Sequence, residues 1–217
     1  MNIHFVIAGA ISTTAPPASD KRESILAAAL DLFAERTFDG TPVPLIAERA
    51  GVAAGTIYRY FDSKEALVNA LYRRWKGAFR DLLASAVATG GTHEERFRLI
   101  WRGQCEFATE HPAALAFLEG QHHEAYLDDE SRALASDIDA SVTTYVRGAQ
   151  ADGAMREGSP EMLMAMAFGA FVGFVKQNRV AGRALDERAI RASADIMWSA
   201  LQETDTKTNA MNRKATR

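Results

Sequence analysis

Apolar residues recur at helical spacing along almost the whole chain, and nowhere do they alternate with polar ones as a half-buried strand requires. From Asp20 to Glu203 the pattern predicts an all-α fold of about nine helices. In the first, Asp20 and Glu23 form a capping-box pair, and Ile25, Leu26, Ala29, Leu32 and Phe33 share one face. It is expected to stop near Phe38-Asp39-Gly40, with the glycine in a left-handed C-cap. Thr41 then caps a short second helix, with Pro42 and Pro44 in its first turn, where the amides lack an internal acceptor anyway. Gly51 ends that helix, Ala54 to Tyr60 make a third of about two turns, and Asp62 or Ser63 caps a fourth reaching about Ala88. Beyond Thr89-Gly90-Gly91, longer amphipathic helices are expected over about residues 92–110, 112–125, 128–152, 159–180 and 186–203.

The third helix is unusual. It is short, it follows a second short helix across a tight glycine turn, and it is too polar and aromatic to be ordinary core. A helix presented in this way can enter the major groove of DNA. Gly55 and Thr56 are small enough for close backbone approach, while Tyr58, Arg59 and Tyr60 offer three consecutive hydrogen-bond donors. Lys64 opens the fourth helix, where a cation opposes the helix dipole unless an anion lies nearby. With Thr41, Thr56, Tyr58 and Tyr60 it sketches a phosphate-binding face. Ile57 and Phe61 are expected in the core.

Charge and composition narrow the picture further. The 217 residues carry a net charge of −3, so contact with nucleic acid must come from a local basic face rather than from bulk charge. The single cysteine, Cys105, excludes a disulfide framework and a Cys-based zinc site, which fits the cytoplasm. Phe5 to Ile11 is too short to span a bilayer. None of the five histidines forms an i, i+4 pair, and His122 and His123 point about 100° apart on a helix, so no metal or other cofactor is expected. There is no nucleophile–base–orienter set and no glycine-rich phosphate loop, so no catalytic residues are assigned.

Thr41 to Ala47, Ala50-Gly51-Val52, the run Gly55-Thr56-Ile57-Tyr58-Arg59-Tyr60-Phe61 and Ser63-Lys64-Glu65-Ala66-Leu67 resemble the DNA-binding domain of the tetracycline-repressor (TetR) family. The resemblance spans roughly Asp20 to Tyr72. It departs from the family at Ala53, where serine or threonine commonly caps the recognition helix, and at Tyr60, where histidine is frequent. A missing cap hydroxyl costs about 1 kcal/mol of local helix stability, so this helix is expected to order fully only on DNA. The resemblance implies a homodimer on double-stranded palindromic operator DNA, with two recognition helices in successive major grooves. Arg59 is the candidate for base readout, since a guanidinium can bond guanine O6 and N7 together. Arg22, Thr41, Gly55, Thr56, Tyr58, Tyr60 and Lys64 are candidates for backbone contact.

On this reading residues 1–18 are a disordered extension, 19–65 the helix-turn-helix domain, 66–205 a ligand-binding and dimerisation domain, and 206–217 a tail. Small residues spaced by four in the penultimate helix allow a partner helix to approach, and Met166, Gly169, Gly173, Ala194, Met197, Trp198 and Leu201 are the expected dimer interface. An intrachain core is the alternative for the same pattern. Aromatic and soft side chains concentrate in the middle of the chain, and Trp101, Cys105, Phe117, His122, Tyr126 and Phe171 are taken as the wall of a pocket for a small apolar or aromatic effector. The expected protein is a ligand-released repressor. A transcriptional activator, a ligand-independent regulator and a small all-helical enzyme are the alternatives.

Overall fold

The computed structural model describes residues 21–119 and 125–203. Among these, nine helices follow one another: α1 Lys21–Arg36, α2 Val43–Arg49, α3 Ala54–Ile57, α4 Lys64–Ala88, α5 His93–Glu110, α6 Pro112–Glu119, α7 Asp129–Ala151, α8 Pro160–Val180 and α9 Glu187–Leu201. The described residues divide into two compact units, one built from residues 21–89, 103–119 and 125–138, the other from residues 90–102 and 139–203. These units cut across the sequence division near residue 65, because α4 and α6 share a core with the N-terminal helices.

In the first unit, α1 buries Ile25, Leu26, Ala28, Ala29, Leu32 and Phe33. It packs against α2, α4 and α6. The almost wholly apolar α6 turns Ala114, Leu115 and Phe117 inward, and the Phe117 ring lies 6.2 Å from that of Phe33. Phe38, Ile46, Ala47, Ile57, Phe61, Leu67 and Leu71 complete one continuous cluster. Burying each leucine, isoleucine or phenylalanine among them stabilises by about 1.5–3 kcal/mol.

The end of α1 differs from the expectation. The left-handed residue is Thr37, with φ of 74°, not Gly40. Gly40 is needed for space instead, since a Cβ there would stand 2.5 Å from the Arg36 carbonyl oxygen. Pro42, not Thr41, is the N-cap of α2. At the other end of α2 the glycine expectation holds: Gly51 has φ of 67°, its amide donates to Glu48 O, and the Val52 amide donates to Ala47 O at 2.9 Å. This paired closure satisfies the last carbonyls of α2 and sets the chain's direction into α3. Asp20 lies outside the described residues.

In the second unit, α8 and α9 pack together. Leu163, Ala167, Phe171 and Val175 of α8 are buried, as are Ile190, Ala194, Trp198 and Leu201 of α9. Phe97 lies between Trp101 and Trp198, with ring centroids 5.8 and 5.5 Å away. The last residue of α9 closes against the loop following α7 through Arg156 N–H to Leu201 O at 2.9 Å. No described helix is long and apolar enough to cross a membrane.

Candidate nucleic-acid interface

The turn after α2 delivers a row of side chains to the surface. Ile57 and Phe61 are 1% and 5% exposed and anchor the row to the core. Between them Tyr58 and Tyr60 stand 56% and 44% in solvent, and Arg59 is exposed as well. Leaving two tyrosines and a guanidinium outward serves no packing purpose within the unit. Helix α3 proper ends at Ile57 and Tyr58 is its C-cap, so the row occupies a turn held by Tyr60 N–H and Phe61 N–H on Ile57 O at 2.9 and 3.0 Å. The expected third helix is thus shorter by three residues. Gly55 is exposed, and a Cβ built on it would meet nothing within 4 Å, so no internal contact demands its small size. Thr56 beside it is half-buried.

Ala53 occupies the N-cap of α3 in extended geometry and offers no side-chain hydrogen bond. The next helix shows what is missing: Ser63 Oγ accepts from the Ala66 amide at 3.2 Å. Ser63 rather than Asp62 is therefore the cap of α4. The Glu65 backbone amide, and after it the Ser63 hydroxyl, hold the Glu65 carboxyl below the usual range.

Three expected contacts change character in the structure. Thr41 is fully buried, and its hydroxyl donates to Thr37 O at 2.8 Å and Leu32 O at 3.3 Å. It braces the end of α1 and is out of a phosphate's reach. Lys64 no longer needs an external anion: its ammonium donates to the Phe38 carbonyl at 2.9 Å and lies 3.8 Å from the centre of the Phe38 ring. An ammonium has three donors, so this anchorage leaves others for solvent or phosphate. Arg22 lies over the Phe61 ring, its guanidinium carbon 5.2 Å from the centroid, which brings α1's first turn beside the end of the exposed row.

Behind this face sits a polar lock that sequence reading missed. Asn69, 3% exposed, donates to Glu65 O at 2.9 Å and to Tyr126 O at 2.8 Å, and accepts from the Asp128 amide at 2.9 Å. One helical turn on, Arg73 reaches both oxygens of Asp128 at 2.7 and 2.8 Å and Ser131 Oγ at 3.0 Å. Partial desolvation pushes the Asp128 carboxyl up, but the bonds from Arg73 and Ser131 outweigh it and hold the pKa down to about 2. The Tyr126 ring stacks on Phe38 at 3.9 Å, and burial together with Asp39 raises its phenol. Tyr126, placed by sequence in the effector pocket, thus props Phe38 at the end of the unit that carries the exposed row.

The remaining pocket residues divide between the units. Trp101 and Phe171 meet edge to face at 6.0 Å in the second unit, with the Trp101 indole N–H bonded to Ser193 Oγ at 2.9 Å. Cys105 and Phe117 are buried in the first, and burial pushes the Cys105 thiol up to about 12, so it behaves as an apolar group. His122 lies outside the described residues. Of the interface residues, Met166 is 63% exposed, Gly169 and Gly173 are exposed, and Met197 is half-buried. Ala194, Trp198 and Leu201 belong to the unit's own core, as the intrachain alternative has it. Among the described residues no group of acidic, histidine or cysteine side chains is arranged to hold a metal ion.

Residues 25–71 match the family described as bacterial regulatory proteins, tetR family, and residues 73–203 match the tetracyclin repressor-like C-terminal domain. The HTH-type transcriptional repressor KstR2 of Rhodococcus jostii (strain RHA1) is 37% identical over 91 residues, covering 37% of this chain and 45% of that protein. The fatty acid metabolism regulator protein of Bacillus subtilis (strain 168) is 34% identical over 80 residues, covering 37% of this chain and 41% of that protein. This chain therefore aligns with less than half the length of either curated relative. A crystal structure of a TetR family transcription regulator from Marinobacter aquaeolei VT8 superposes with a TM-score of 0.75 over 85% of this chain and 96% of that one, at 22% identity, and shares the fold.

Proposed function

The chain belongs to the tetR family of bacterial regulatory proteins, and from that premise we propose that it is a cytoplasmic transcriptional repressor that binds a palindromic operator as a homodimer and is released by a small apolar or aromatic effector. The observation that carries the DNA-binding part is the outward row Tyr58-Arg59-Tyr60, fixed between two buried anchors directly after a tight inter-helix turn. Arg59 reads a base edge, while Tyr58, Tyr60, Thr56, Lys64 and Arg22 hold the phosphate backbone, and Gly55 lets it approach. Thr41 acts indirectly, by fixing the end of α1.

Dimerisation runs through α8. Met162, Met166, Gly169 and Gly173 are exposed on it, and a Cβ on either glycine would touch nothing within 4 Å of its own chain, so their small size suits a partner helix. The repressor direction is supported by the name of the Rhodococcus relative, a transcriptional repressor. Release is two-state: the effector favours a conformation in which the recognition elements no longer match the operator spacing, and affinity falls by linkage. Helix α4, which runs from Lys64 at the DNA face to Ala88, is the lever.

A gel-shift with the DNA upstream of the protein's own gene tests this reading. The expected result is a sequence-selective complex that weakens steeply with salt. Binding indifferent to sequence or to salt overturns it.

A further inference from the structure

Helix α4 carries, one turn beyond the polar lock, the partly buried Trp75, which packs on the first unit's core. Its ring lies 4.8 Å from His111 and 5.9 Å from Phe107, and Phe107 and His111 are themselves 5.4 Å apart. In this three-ring cluster both Trp75 Nε1 and His111 Nε2 are buried and have no hydrogen-bond partner among the described residues. The Trp101 indole N–H, by contrast, is satisfied by Ser193 Oγ. A buried donor left unpaired costs about 1–3 kcal/mol; Trp75 Nε1–H is such a donor, while His111 Nε2 donates or accepts according to its tautomer. An indole N–H can only donate, so the missing partner must present a lone pair. The core on which Trp75 packs contributes the apolar side chains of Leu71 and Phe117 and the ring of Tyr72.

We infer that Trp75 and His111 form the polar handle of the effector site, and that the effector is an apolar molecule bearing a carbonyl oxygen, as a ketone or a carboxylate, which accepts from Trp75 Nε1. The inference rests on the effector-released reading above and sharpens it. Neither residue belongs to the pocket that the sequence pattern suggests. Because Trp75 shares α4 with Asn69 and Arg73, a ligand held there would act directly on the helix that the lock secures.

Indole NMR on the ¹⁵N-labelled full-length protein tests the assignment, with acetophenone, benzoate and ethylbenzene as probes of similar size. The chain has three tryptophans, and Trp75→Phe identifies the signal of interest by its loss. Acetophenone, benzoate or both should move the Trp75 indole proton downfield, and ethylbenzene should not. Movement with the ketone alone or the carboxylate alone decides which carbonyl class is taken. Trp75→Phe should weaken binding of the active carbonyl probe about five- to tenfold, the worth of one neutral hydrogen bond, and leave ethylbenzene unaffected. His111→Leu provides an independent variant with the same expected discrimination. Three probes that behave alike, no movement with any of them, or undiminished carbonyl binding in both variants would overturn the inference. The two readings fail separately: a gel-shift without added compound judges DNA binding, and release of DNA by a compound that leaves the Trp75 signal in place upholds the repressor while removing this handle.

Discussion

Two regions of the molecule leave large side chains in solvent, and they do so in opposite chemistry. After α3 the exposed row is Tyr58-Arg59-Tyr60, three donors on a short backbone segment. Along α8 the exposed residues include Met162, Met166 and Phe168, hydrocarbon and thioether interspersed with glycine. The supports differ as well. Helix α8 opens on a Ser159 cap, whose Oγ accepts from the Met162 amide at 3.1 Å, and runs for 21 residues, whereas α3 has four residues and no side-chain cap. A surface proposed to meet its own copy gains from being rigid before contact and becomes dry only on contact. A surface that meets DNA can take part of its order from the phosphates, because each hydrogen bond it lacks alone is offered by the partner.

The α8 side of the contrast is tested most severely by Met166→Glu. The residue is exposed, so the isolated subunit should keep its stability within about 0.5 kcal/mol. Two carboxylates facing each other across a two-fold interface should shift the protein to monomer, measured by sedimentation, and lower operator affinity at least about 100-fold, or ~3 kcal/mol. A monomer that still binds the operator normally would dissolve the contrast.

Arg59→Ala tests the DNA side. It should cost about 1–3 kcal/mol and flatten preference at one base pair per half-site, read by binding-site selection on a randomised operator. A uniform loss over all positions would make Arg59 a phosphate contact like its tyrosine neighbours.

How much of both regions was legible in the sequence depends on the range of the forces involved. Helix order, the Gly51 turn and the Ser63 cap are local, and turn chemistry discloses them. The exposed fates of Tyr58 and Met166 follow from periodicity. What periodicity could not show is where a side chain finds a partner far along the chain. Asn69 and Arg73 meet residues more than fifty positions away, and Asp128 reads only as the start of a helix until Arg73 lies against it. Lys64 appeared to want an anion because the Phe38 carbonyl, 26 positions distant, was invisible. Ala194, Trp198 and Leu201 show the converse limit: one apolar stripe fits a subunit interface and an internal core equally well until the neighbouring helix is placed.

The lock itself gives a pH-dependent prediction. With its pKa held at about 2 in the fold, below the ordinary 3.8, the Asp128 carboxylate contributes stability that is present above the unfolded value and is lost as pH falls toward 2. The side chain is 46% exposed, so solvent screening reduces the contribution to about 1 kcal/mol. Asp128→Asn should therefore unfold more readily in urea at pH 7, and the gap from wild type should close on acidification below pH 4. A gap that stays constant with pH would assign the loss to packing rather than to the ion pair.

The smallest expected effect bears most directly on whether α3 waits for DNA. Ala53 has φ −69° and ψ 145°, close to the −67° and 130° of Ser159, which does cap its helix. Serine can therefore replace it without backbone strain, and its hydroxyl can accept from the Gly55 amide or share the Thr56 amide, which donates to Ala53 O at 2.8 Å. The gain should be about 0.5–1 kcal/mol of helix stability. Where that gain appears is the informative part. If the free protein populates a frayed α3, the cap favours the DNA-competent form, and operator affinity should rise about two- to fivefold with slower amide exchange over residues 54–60. If α3 is already formed in the free protein, free and bound states gain equally: the melting temperature rises and affinity stays put. The uncapped N-terminus and the four-residue length favour the first outcome, in which the protein leaves part of its recognition surface to be completed by the operator.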